Sequence, residues 1–374
     1  MRIRNLTRHL GLAVVAAFVV AACGSSSSNN SATCSESTAK TATTASACGG
    51  IDALVVAAKA EGKLNIIATP PDWANYGEAI NGFQSKYGIT ITSDNPNGSS
   101  QDEINAVTQL GTSSRAPDVL DMGKAVTLAN LQLYAPYKVA TWADILDSQK
   151  DPTGLWWQDY GGYMSIGYDS TKVPTITTLT DLLKPEFKGK VALNGNAKQA
   201  NAALQGVMMA NLAQGGTPDN ISKGVDFFHQ LKQAGNFSPV QATSATVANG
   251  TTPVVFDWDY LSASHGKDVP TWKIFEQSNA ILGDYYQQAI NKNAPHPAAA
   301  RLWEEYLYSD TGQNDWLRGK ARPVRMAAMI KSGTIDKTAA AALPAVNGTP
   351  VFLTDAQASA AKDYLVAHWD AAMS

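Results

Sequence analysis

The chain of 374 residues holds only 3 cysteines and 5 histidines, and its charges nearly cancel, 29 basic against 32 acidic, for a net charge of −3. The histidines (His9, His229, His265, His296, His368) are scattered without metal-ligand spacing, so no metal is expected. No basic block lies beyond the first ten residues, which argues against nucleic acid as a partner. The motifs G-x-G-x-x-G, G-x-x-x-x-G-K-[ST], H-E-x-x-H and G-x-S-x-G are missing, and "GGYMSIG" spaces its glycines wrongly for a phosphate cradle. No cofactor is expected. Triads assemble across sequence, but no catalytic set declares itself, and an enzyme is not expected.

A bilayer-spanning run is also missing. The apolar stretch Leu10 to Ala22 is too short for the roughly 20 residues of a transmembrane helix, but behind Arg2, Arg4 and Arg8 it suits a signal peptide over 1–22. It ends in Val20-Ala21-Ala22-Cys23, which resembles the lipobox of bacterial lipoproteins, where the cysteine is acylated and becomes the mature N-terminus. Acyl chains at Cys23 would hold the protein at a membrane surface, outside the cytoplasm, at the cell surface or in a periplasm. From Cys23 to Gly50 the chain is mostly Ser, Thr, Ala and Asn, a composition expected to form a flexible tether. Export to an oxidising compartment predicts that Cys34 and Cys48 within it pair.

What is abundant is apolar residues, at 44%, with 9 Trp, enough for a sizeable core in two domains or lobes. "KLNIIAT", "GITITS", "PDVLDMG", "YMSIGYD", "KVALNG" and "PVVFDWDY" read as strands. "YGEAINGFQSKYG", "DEINAVTQLGT", "AALQGVMMANLAQ", "NISKGVDFFHQLKQAG" and "PAAARLWEEYLYS" recur at helical spacing. The class is α/β, with a mostly parallel sheet that binds ligands beyond its strand ends. Ser100-Gln101-Asp102-Glu103 has the pattern of a capping box opening a helix. At the end of the first strand "PPDWANYG" places Trp73 and Tyr76 in a loop, where two large rings are unexpected. They read as a ligand wall, with a hydrophobic staple or interlobe packing as the competing account.

In order along the chain, "AEGKLNIIAT", "FQSKYGITIT", "APDVLDMG", "GYDSTKVP", "LTDLLKPEFKGKVAL", "NAPHPAAARLWEEYLYSDTGQ" and "ARPVR" resemble the extracellular solute-binding proteins of ATP-binding cassette importers, in the iron, polyamine, thiamine and aminoethylphosphonate branch. The resemblance implies a two-lobed type II periplasmic-binding-protein fold with a ligand cleft between lobes. Lobe 1 would comprise 51–163 and 284–325, and lobe 2 would comprise 164–283 and 326–374, with crossings near "GGYMSIG", "AILGDYY" and after "ARPVR". It implies a monomer that captures a small polar, cationic or polyamine-like solute for a permease and an ATPase. In polyamine binders of this type a W-x-x-Y pair lines the cleft, here Trp73 and Tyr76, and an aromatic ligand position matches Trp258. Asp259, Asp284 and Tyr286 are further candidates. Where those binders carry two acidic residues this sequence has Asn196 and Gln199, which hydrogen-bond but supply no charge. Tyr285 and Tyr286 raise the alternative of ferric iron, although the pair does not sit where ferric binders place theirs. Phosphonate-type anion binding by the same fold is another alternative, and a secreted enzyme or adhesion lipoprotein a more distant one. Replacing Cys23 by Ala is expected to move the protein from the detergent to the aqueous phase on partitioning; an unchanged distribution rules out acylation there.

Overall fold

The computed structural model describes residues 34–374. The expected signal peptide, the expected anchor at Cys23 and the first part of the expected tether lie outside the described residues. Eleven strands are present among those described: β1 Lys63–Ile67, β2 Thr90–Asp94, β3 Val119–Met122, β4 Tyr134–Ala135, β5 Trp157–Asp169, β6 Val191–Leu193, β7 Val254–Trp258, β8 Trp272–Phe275, β9 Leu282–Asn291, β10 Arg322–Pro323 and β11 Val351–Phe352.

The 13-residue β5 organises them. Its first half, Trp157 to Tyr163, pairs antiparallel with β9 and β10, and β9 in turn takes β3 and β4 on its other edge. Its second half, Met164 to Asp169, pairs antiparallel with β7 and β8, and β7 pairs in parallel with β6. One strand therefore belongs to two sheets, and the change of partners falls between Tyr163 and Met164. Each half carries its own lobe, the first with β1 to β4 and β9, the second with β6 to β8. The paired glycines of "GGYMSIG" lie at this change: a Cβ on Gly162 would overlap the Asp259 carboxylate and the Tyr260 ring.

The fold is α/β, as the alternation of elements predicts, but most strand pairings are antiparallel rather than parallel. β5 and β9 are the cause, because strands that pass between lobes return against their neighbours instead of following a helical crossover. Around the sheets the helices obey their end signals. Gly62 and Gly88 close Ile51–Glu61 and Tyr76–Tyr87 in the left-handed conformation, and Pro297 opens Pro297–Leu307.

The expectation of a flexible tether does not hold for residues 34–50. Residues 35–48 are folded onto the first lobe: Ser35 caps a helix over Glu36–Thr41, and Ala39, Ala42 and Cys48 are buried. Cys34 and Cys48 are joined as a disulfide, with Cα atoms 4.8 Å apart. Small side chains let the segment approach the helix Pro297–Leu307 closely, and Arg301 of that helix holds it. This side chain is 1% exposed, and its guanidinium donates to the carbonyls of Ala42 (2.8 Å), Lys40 (3.0 Å) and Pro297 (3.0 Å). Two of these carbonyls belong to a helix end that has no intrahelical partner to offer. A segment that looks disordered by composition is thus ordered by a distant arginine and a cross-link. Arg301→Ala should leave these buried carbonyls unpaired and destabilise the protein by about 2–4 kcal/mol. Arg301→Lys should recover only part, because an ammonium has no planar fork. Chemical denaturation checks both; wild-type stability in the alanine variant refutes the clamp.

Candidate functional site

Between the lobes lies a cavity of about 60 Å³, room for a few waters. From the first lobe it is lined by Trp73, by the turn Pro96 to Ser100, by Glu103 and by Asp121; from the second by Asn194, Asn201, Gln241 and Thr243; Tyr286 of β9 is also in its wall. Across it Gln101 N donates to Gln199 O and Gln241 Nε2 to Asn97 O, both at 3.3 Å.

Trp73 is set by the turn after β1. Ala68 (φ 56°) and Ala74 (φ 45°) sit in the left-handed region, where a Cβ costs about 1–2 kcal/mol. Gly319 permits this turn, since a Cβ there would come within 2.7 Å of the Ala74 carbonyl. The indole is half-buried, stands edge-on to Tyr286 at 5.9 Å, and donates from Nε1 to Tyr160 Oη at 2.8 Å. Tyr76, three residues on, goes elsewhere. It is 1% exposed, packs 4.7 Å from Trp316 and donates to Asp121 Oδ2 at 2.8 Å, so it braces the site from behind and does not face the cavity.

Asp121, next to last in β3, is the node of the site. Its Oδ2 accepts from Tyr76 (2.8 Å) and Tyr160 (2.9 Å), while Oδ1 has no partner among the described residues. Glu103 lies against it on the helix Ser100–Leu110 and accepts from Asp121 N at 2.8 Å. Burial raises both carboxyls, Asp121 to about 7, and Glu103 well above the usual carboxylate range. The helix that carries Glu103 is capped one residue earlier than the sequence pattern suggests, by Ser99 with Asp102. Ser100 instead accepts from Gly123 N at 3.0 Å, in the turn after β3.

The remaining sequence candidates divide. Asn196 and Gln199 are exposed on the second lobe's rim, and the cavity is lined instead by their neighbours Asn194 and Asn201. Trp258 is fully buried, stacks on Tyr260 at 6.2 Å and donates to Tyr286 Oη at 3.3 Å, so it supports the wall without forming it. Asp259 is committed to Arg322 at 2.6 Å. Asp284 accepts from Asn201 (3.1 Å) and Gln205 (2.9 Å), which fixes Asn201 in place. Tyr285 and Tyr286 point to opposite faces of β9, one toward a groove with Phe352, the other toward the cavity, as strand alternation requires. Glu103 falls in the Ser100–Glu103 pattern, which marks a helix start and not a site, and Asp121, Asn97, Asn194, Asn201 and Gln241 carry no motif that marks a site. The one available signal was an aspartate within an otherwise apolar strand, in "PDVLDMG".

No curated protein matches the chain significantly. Among solved structures, iron-bound HitA from Pseudomonas aeruginosa is 21% identical, with a TM-score of 0.60 over 82% of this chain and 98% of its own. AgtB from A. tumefacien R10 in complex with agropinic acid is 16% identical, with a TM-score of 0.65 over 83% of this chain and 98% of its own. AfuA from Actinobacillus pleuropneumoniae with fructose-6-phosphate bound is also 16% identical, with a TM-score of 0.63 over 83% and 98%. At these identities the likeness is one of fold, that of the type II periplasmic binding proteins. Residues 118–353, more than half of the chain, match the family described as bacterial extracellular solute-binding protein. The chain belongs to that family, whose members hold a solute outside the membrane for an ATP-binding cassette importer.

Proposed function

We propose that this protein captures a small cationic solute, with an amine or similar head group, between its lobes and presents it to a permease while tethered through an acylated Cys23. One observation carries the charge assignment: the residues lining the cavity include two carboxyls, Glu103 and Asp121, and no Lys, Arg or His. Trp73 and Tyr286 add aromatic surface, which attracts cations, and Asn194, Asn201 and Gln241 add groups that orient a polar molecule. A phosphorylated or phosphonate solute would meet carboxyls where it needs cations, at a helix N-terminus already occupied by Asp102. Ferric iron bound by paired phenolates is disfavoured by the opposite facing of Tyr285 and Tyr286 and by the burial that raises both hydroxyls.

Capture would work by population shift. A solute that touches Trp73 and Asp121 on one lobe and Asn201 and Gln241 on the other favours the closed arrangement by its contacts in that state alone. The bonds from the second lobe to the turn and helix start at Asn97 and Gln101 are both long, 3.3 Å, as a cleft that must reopen requires.

A thermal-shift screen of amines, neutral sugars and phosphonates should respond to amines, and mass spectrometry of solute carried through purification should find a cation. Trp73→Ala should weaken binding of the responding amine by up to about thirtyfold, the value of a lost cation–π face of roughly 0.5–2 kcal/mol, without lowering the unfolding midpoint. Wild-type affinity in that variant places the site elsewhere, and a response to phosphonates alone overturns the charge assignment.

A further inference from the structure

The acid groups under the cleft are buried without counter-ions. Asp121 is faced by Tyr76 from the helix Tyr76–Tyr87, by Glu103 from Ser100–Leu110, and by Asp159 and Tyr160 from β5. Tyr286 from β9, Tyr260 from Asp259–His265, and Glu304 and Tyr308 from the helix Pro297–Leu307 complete the set. All are acids. Gln288 links two of them, donating to Tyr76 Oη at 3.0 Å and to Asp159 Oδ2 at 2.7 Å. Neither carboxyl oxygen of Glu304 has a partner among the described residues, nor does Asp121 Oδ1.

A low-dielectric pocket of this kind penalises every negative charge placed in it, and no Lys, Arg or His in the set offsets the penalty. Among these acids, Asp121 and Glu103 line the cavity with Tyr286, and of the two carboxyls only Asp121 is also tied to Tyr76 and Tyr160. We propose that in neutral to acid solution the cleft exchanges a proton for its solute: there Asp121 is a neutral acid while no cation occupies the cavity, and it releases its proton to solvent when a cationic group binds beside it. The two tyrosine hydroxyls that donate to Oδ2 stabilise the resulting carboxylate, so the group is prepared for both states. Burial pushes Asp121 up to about 7, against the pull of those hydroxyl bonds, which sets the exchange near neutral pH. This rests on the reading of the cleft as a cation site and adds what that reading does not contain, namely that acid drives the solute out.

The sign follows from linkage. A bound cation favours the carboxylate and lowers its midpoint, so protons compete with the solute. Affinity should be level above about pH 8 and fall about tenfold for each pH unit below about 7, until the midpoint of the complex is reached.

Carboxyl-carbon NMR of the full chain labelled at aspartate, with the Asp121 signal assigned by its loss in Asp121→Asn, reads the titration directly, with and without putrescine as the probe. The expected result is a midpoint near 7 in the free protein that putrescine lowers by at least about one unit. Calorimetry should show the tenfold-per-unit loss of putrescine affinity in the wild type and a flat profile in Asp121→Asn. If putrescine binds but Asp121 titrates near about 4, the ordinary aspartate value, or does not move on binding, the exchange is overturned and the cation site stands. If neither putrescine nor spermidine binds at pH 8, the cation site fails and the exchange fails with it.

Discussion

A strand shared between two sheets constrains everything else in this molecule. β5 cannot bend at Tyr163–Met164 without altering the relation of the lobes, and it cannot slip, because each half is locked by antiparallel partners on its own side. The residues next to that junction are closely packed. Gly162 has no space for a side chain, and Asp259 and Arg322 form a buried ion pair beside it. Such a pair contributes little net stability relative to an apolar replacement, but losing one partner strands a charge, so it fixes geometry. The cavity inherits its shape from this junction, since Tyr286 of β9 and the Tyr160 hydroxyl of β5 belong to the strands that cross there.

The carboxyls beneath the cleft work against folding. Each of Asp121, Asp159, Glu103 and Glu304 would be more stable in water, and none has a basic group to neutralise it. Neutral forms at ordinary pH avoid the charge penalty but leave polar atoms short of partners, a cost of about 1–3 kcal/mol for each orphaned group. A fold tolerates this where a ligand later supplies the missing interaction. The aromatic residues Tyr76, Tyr160 and Trp316 packed around Asp121 make its surroundings apolar enough to raise it while still offering two hydroxyl donors.

How much of this was readable in the sequence depends on the range of the interaction concerned. Strands such as "KLNII" and "VVFDW" announce themselves by local apolar runs, and the order of motifs identifies the family without any contact information. The site is poorly legible for the opposite reason. Trp73 and Tyr76 are three residues apart, yet the loop after β1 turns through two left-handed alanines, so one ring reaches the cavity and the other enters the core. Asn196 and Gln199 fall on the right loop, but its backbone directs Asn194 and Asn201 inward. Asp121 becomes a site residue only because Glu103, 18 positions earlier, and Tyr160, 39 positions later, are brought to it. The Glu36–Thr41 helix was invisible for the same cause, its order being imposed by Arg301 from 259 residues beyond Ala42.

Under the anchoring proposed at Cys23, that clamp has a mechanical meaning. A pull applied at Cys34 passes through the sulfur bridge to Cys48 and on to the helix Ile51–Glu61, which lies along Pro297–Leu307. The helix Glu36–Thr41 sits inside the bridged loop and carries no load, while Arg301 keeps the loop pressed to the body. Tension would then reach the first lobe through a cross-link and a helix packed on another helix, and not through the edge strand of a sheet.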